Sequence, residues 1–129
     1  MAEPNLQGRR ILVVEDEYYL ADELSALLAE AGAEIVGPVP SVAAARVMVD
    51  SGEAIDAALL DVNLRGEMIF DVADALRARD VPFAFATGYD RSALPARFAE
   101  ARRIEKPVQP QAVIAALAPL VAEGAPRRA

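Results

Sequence analysis

The chain has 129 residues, a length that suits one domain. A hydrophobic share of 54% gives it a core to bury, and a net charge of −7 argues against a nucleic-acid partner, whose phosphates call for clustered Lys and Arg. It contains neither cysteine nor histidine, which excludes disulfides, zinc–thiolate sites, serine triads and histidine general bases; any chemistry rests on carboxylates, Lys, Arg, hydroxyls and backbone.

The opening MAEPNLQGRR has no apolar centre and does not read as a signal peptide. No apolar run approaches the length of a bilayer span, so a soluble, cytoplasmic protein without membrane contacts is expected. RILVVED (10–16) is a β-branched run ending in acids, the pattern of a buried strand. Leu20, Leu24, Leu27, Leu28 and Ala31 then share one helical face, and Gly32 is the expected stop. EIVGPV is a second short strand. In SVAAARVMVDSG, Ser41 is placed to N-cap a helix that ends near Gly52.

DAALLDVNL is a third strand, apolar on both faces up to Asp61. Beyond Gly66, helical spacing returns with Ile69, Val72, Ala73 and Leu76. VPFAFATG is the fourth strand, and RSALPARFAEA a short helix weakened by Pro95. RRIEKPV is a fifth, more polar strand suited to a sheet edge. Pro110 can open a last helix with Val113, Ile114, Leu117 and Val121 inside and a kink at Pro119. Five strands alternating with five helices predict an α/β domain over residues 9–123, with a parallel sheet covered on both faces and flexible tails at 1–8 and 124–129.

Sites in such sheets lie at the carboxyl ends of the strands. Those ends carry Glu15-Asp16, Asp61, Thr87-Gly88 and Lys106-Pro107. In a strand order 2-1-3-4-5, strands one and three are neighbours, and three carboxylates meet beside a hydroxyl and an ammonium. Such a group repels itself unless a cation sits within it, and a hard ion such as Mg²⁺ suits oxygen ligands. Asp61, after a buried run, is the best candidate nucleophile. Lys106 and Thr87 can donate to the oxygens of a phosphoryl group on it, with Gly88 offering space and a backbone N–H. Each residue also has a plainer reading. Glu15 and Asp16 suit a helix N-terminus, Thr87 suits a strand, Lys106 suits a surface, and Tyr89 suits packing.

With Glu15-Asp16, Asp61 in LLDVNL, Thr87 and Lys106 in EKP, the sequence resembles the receiver domain of bacterial two-component response regulators. The phrase FATGY (85–89) resembles a subgroup of single-domain receivers, the FAT GUY receivers, associated with HWE-type and related sensor kinases. The resemblance implies the flavodoxin-like sheet order 2-1-3-4-5. It implies that Asp61 accepts a phosphoryl group from a kinase histidine. Asp16, Asp61 and the backbone carbonyl of Asn63 would bind Mg²⁺, with Glu15 acting through water. Thr87 and Lys106 would hold the phosphoryl oxygens, and the Lys106–Pro107 peptide would be cis. Arg103 stands where receivers carry an aromatic switch residue, which leaves Tyr89 as a second switch candidate. A monomer is expected, a phosphoacceptor and no enzyme of a separate substrate, without an output domain and signalling by contact with other proteins. The alternatives are a small-molecule phosphatase with an aspartate nucleophile, a nucleotide or flavin module, and a pseudo-receiver. No G-x-G-x-x-G or P-loop motif supports the nucleotide reading.

Overall fold

The computed structural model describes residues 6–88 and 93–123. The chain order is β1 (Arg10–Val14), α1 (Tyr18–Glu30), β2 (Glu34–Val39), α2 (Val42–Asp50), β3 (Ala57–Asp61), β4 (Asn63–Leu64), β5 (Glu67–Met68), α3 (Phe70–Ala78), β6 (Phe83–Thr87), a 3₁₀ turn (Ala96–Phe98), β7 (Arg102–Glu105) and α4 (Pro110–Glu123). Five strands form one sheet in the order β2-β1-β3-β6-β7, all parallel. This is the 2-1-3-4-5 order.

Every residue of β3 and β6 is buried, as their continuous apolar runs require of central strands covered on both faces. Alternate residues serve opposite layers. Leu12, Val14, Leu60 and Phe85 pack with α2 and α3 residues such as Val49, Val72 and Leu76. Ile11, Val13, Leu59 and Ala84 pack with Leu24 and Leu28 of α1 and with Val113 and Leu117 of α4. The expected N-cap is present, since the Ser41 hydroxyl accepts the Ala44 N–H at 3.1 Å. α4 runs through Pro119. Among the described residues, no helix is long and apolar enough to cross a membrane.

Three expectations are corrected. The described residues contain four α-helices rather than five, because the segment around Pro95 closes into the 3₁₀ turn. Pro95 itself is extended (φ −56°, ψ 152°), and i to i+3 bonds follow, with Phe98 N–H donating to the Pro95 carbonyl at 2.8 Å. This tight path drives Phe98 into full burial among Phe70, Phe83 and Phe85. Asp74 and Arg97 clamp it from outside with paired 2.9 Å bonds, and the Arg77 guanidinium lies 4.7 Å over the Phe98 ring.

The third strand ends at Asp61 instead of running on through VNL. Asn63–Leu64 turn back on Glu67–Met68 as an antiparallel hairpin. Its two central residues, Arg65 (φ 55°) and Gly66 (φ 92°), are both left-handed, which is what a two-residue turn of this hand demands.

The packed unit also begins before residue 9. Leu6 is fully buried, and its N–H donates to the Ala31 carbonyl at 3.0 Å. The segment lies against Gly32, the left-handed residue (φ 98°) that ends α1.

Candidate functional site

β1, β3, β6 and β7 all point their carboxyl ends the same way, and register sets what meets there. Val14 pairs with Leu60, Asp61 with Ala86, and Thr87 with Glu105. Glu15, Asp61 and Thr87 therefore follow apolar strand residues onto one rim, and all three are buried. Buried polar groups at the end of a core strand need partners. The other buried acid among the described residues, Asp56, lies at the opposite end of β3, where it accepts the Arg10 N–H at 2.8 Å and serves the fold.

Lys106 supplies the partner at the rim. Its ammonium sits 3.4 Å from Glu15 Oε1 and 3.4 Å from Asp61 Oδ1. A backbone bond from Lys106 N–H to the Thr87 carbonyl, 3.0 Å long, holds the start of this side chain against β6. The Lys106–Pro107 peptide is cis, as expected. Glu15 also accepts the N–H of Glu17 at 3.1 Å through Oε2, so one carboxylate both faces the site and steadies the entry to α1. The plainer reading of Glu15 as a helix-end residue is thus part of its role.

Oxygens of Glu15, Asp16 and Asp61 all lie within 4.8 Å of one another. Burial pushes the Glu15 carboxyl up to about 7; the Glu17 N–H opposes this, the Asp61 charge adds to it, and Lys106 opposes it. Burial likewise raises Asp61, against the charge and hydrogen bonding of Lys106 and the backbone N–H of Asn63. Burial works to lower Lys106, but the charges of Asp61 and Glu15 outweigh it and hold the ammonium above its ordinary value. Three carboxylates against the Lys106 ammonium and one exposed guanidinium, that of Arg65, leave the cluster short of positive charge. Such a donor set, all oxygen and two-thirds buried, is compatible with a hard divalent cation.

The remaining expected residues fall as follows. Asn63 opens β4, and its side-chain Oδ1 accepts the Gly66 N–H at 2.6 Å, closing the hairpin turn. A Cβ on Gly88 would meet nothing within 4 Å, so space is open beside Thr87. Arg103 is half-buried on β7, in register with Phe85. Tyr89 lies outside the described residues.

One residue at the rim went unread in the sequence. Arg65, at the tip of the β4–β5 hairpin, places Nε 3.6 Å from Asp16 Oδ2. A left-handed turn usually advertises itself by Asn-Gly or Asp-Gly, and Arg-Gly carries only half of that signal.

No family model matches the sequence. The chain is 38% identical over 91 residues to the sensory transduction protein LytT of Bacillus subtilis (strain 168), a stretch that covers 67% of this chain and 37% of LytT. It thus spans little more than a third of the length of that curated relative. The solution structure of SdrG from Sphingomonas melonis Fr1 superposes with a TM-score of 0.76 at 44% identity, covering 88% of this chain and 97% of SdrG. A response regulator receiver protein from Sinorhizobium medicae WSM419 superposes with a TM-score of 0.77 at 25% identity, covering 92% and 98%.

Proposed function

The chain belongs to the response regulator receiver family, and we propose that it works as a cytoplasmic phosphoacceptor in which Asp61 takes a phosphoryl group from a sensor-kinase histidine. The observation that carries this reading is the Lys106 ammonium held 3.4 Å from Asp61, at the end of a fully buried strand. An Asp61 oxygen attacks phosphorus in line. The P–O bond forms as the P–N bond breaks, and the electron pair returns to the imidazole nitrogen. Lys106 and the Thr87 hydroxyl receive the phosphoryl oxygens, and the Gly88 backbone leaves them room.

Asp16, Asp61 and the Asn63 carbonyl would hold Mg²⁺, with Glu15 reached through water. When bound, the ion neutralises charge on the phosphoryl oxygens. The ionised form of Asp61 is the nucleophile, and Lys106 beside it opposes the burial that would keep it protonated. The new group adds a charge of about −1.5 to −2. Drawing Thr87 toward it biases the chain between two conformations, which partner proteins read by contact. The FATGY phrase supports the FAT GUY subgroup and an HWE-type kinase as donor. The protein acts as a monomer and turns over no separate substrate.

Intact mass after incubation with acetyl phosphate tests this. A gain of one phosphoryl group that needs Mg²⁺ and is lost in Asp61→Asn is the expected result. Labelling of Asp61→Asn at the full rate would overturn the assignment, and steady release of phosphate from unrelated esters would favour a phosphatase.

A further inference from the structure

The three carboxylates of the rim are served unequally. Lys106 reaches Glu15 and Asp61, and no contact of its ammonium with Asp16 accompanies these two. Asp16 is answered from the other side, by Arg65. The two cations differ in kind. Lys106 is half-buried and anchored through its backbone to β6. Arg65 has a side chain 82% exposed, and its 3.6 Å approach is an ion pair beyond hydrogen-bond length.

The placement of Arg65 is nonetheless built. A non-glycine residue at φ 55° is uncommon, and it costs backbone energy that the surroundings must offset. Here the Asn63 Oδ1 bond to Gly66 N–H, at 2.6 Å, closes the turn and keeps Arg65 at its tip. Asn63 itself is two residues beyond Asp61, so the hairpin grows directly out of the acid cluster. The turn therefore suspends a guanidinium over the one carboxylate that Lys106 does not serve.

We propose that Arg65 is a built-in competitor for the divalent cation: its guanidinium neutralises Asp16 until a cation takes that carboxylate, and the side chain is then released to solvent. This rests on the reading that Asp16 and Asp61 hold Mg²⁺. The arrangement suits a displaceable group. A long, exposed ion pair is weak and screened by salt, so it lowers cation affinity modestly without blocking the site. It also limits the self-repulsion of the cluster when Asp16 is ionised and no divalent ion is near. Arg65 is a positioning residue, since it acts through Asp16.

Mg²⁺ titration by calorimetry tests the idea, on wild type, Arg65→Asn, Arg65→Gly and Arg65→Lys. Asn and Gly both accept the left-handed turn, so they remove the charge while keeping the hairpin. At low salt both should bind Mg²⁺ about 2–5-fold more tightly than wild type, a gain of about 0.4–1 kcal/mol. Arg65→Lys should stay within about twofold of wild type, and the gain should shrink in 0.5 M NaCl as about a 4 Å Debye length screens the pair. Binding of Arg65→Asn and Arg65→Gly that equals or falls below a measurable wild-type affinity would overturn this proposal alone. Absence of Mg²⁺ binding in every form would overturn it together with the metal reading of the site.

Discussion

Lys106, at the end of β7, spans the intervening strand β6 to bring its ammonium 3.4 Å from Asp61 Oδ1 at the end of β3. The same ammonium reaches Glu15, just beyond the end of β1, so one side chain ties three strand ends together. Removing it leaves two buried carboxylates facing each other, and one of them must take a proton.

Lys106→Met should therefore destabilise the protein at pH 8 by about 2 kcal/mol, less than for a fully enclosed pair because the lysine is partly solvated. Urea denaturation at pH 8 and pH 5 measures this. The loss should be smaller at pH 5, where a proton replaces the ammonium. An equal loss at both would refute the charge-based account. Asp61 should still accept phosphate from acetyl phosphate, more slowly, while the spectral changes that follow phosphorylation in wild type should be reduced.

The raised Glu15 carboxyl sets a pH dependence. With an ordinary value of 4.5 in the unfolded chain and about 7 in the fold, the native state binds the proton more tightly. Its contribution to stability is greatest below pH 4.5 and is lost as pH rises toward 7. The loss is on the order of 3 kcal/mol. Glu15→Gln should remove this slope, and Mg²⁺ should restore wild-type stability above pH 7 by binding the folded state. A wild-type slope between pH 5 and 7 identical to that of Glu15→Gln would count against the shift.

Phe98 holds the segment before β7 in place. Truncating a fully buried ring that stacks on Phe70 at 5.6 Å should cost about 3–5 kcal/mol. Phe98→Leu should recover much of that. Thermal unfolding compares the two, and a Phe98→Ala loss below about 1 kcal/mol would show that the aromatic cluster repacks without it.

Gly32 meets two demands at once. Its φ of 98° is left-handed, and an added Cβ would lie 2.9 Å from the backbone Cα of Gln7. Gly32→Ala should cost about 1–3 kcal/mol and loosen the docking of Leu6. Hydrogen exchange at the Leu6 N–H, bonded to Ala31, reads the local effect. Unchanged protection there would mean that the N-terminal segment adapts.

The sequence by itself determined the sheet and most of the rim. Short continuous apolar runs such as AALL and FAFA, bounded by turn residues, suit buried strands, and a parallel sheet carries whatever follows them to one edge. Glu15, Asp61 and Thr87 were legible for that reason, because polarity switches on where each run stops; Lys106 follows the polar strand RRIE and was legible from the proline after it. Tertiary structure decided the rest. The segment after β6 has an apolar pattern that a helix would satisfy, yet burial of Phe98 against three other rings outweighs local propensity and selects a 3₁₀ turn. Leu6 stands among polar residues and gave no periodic signal, and its burial depends on a groove that exists only once Ala31 and Gly32 end α1. Arg65 is the clearest case. Nothing in NLRGEM marks an arginine as left-handed or aims it at an acid 49 positions earlier in the chain, because that pairing arises only when β1 and β3 lie side by side.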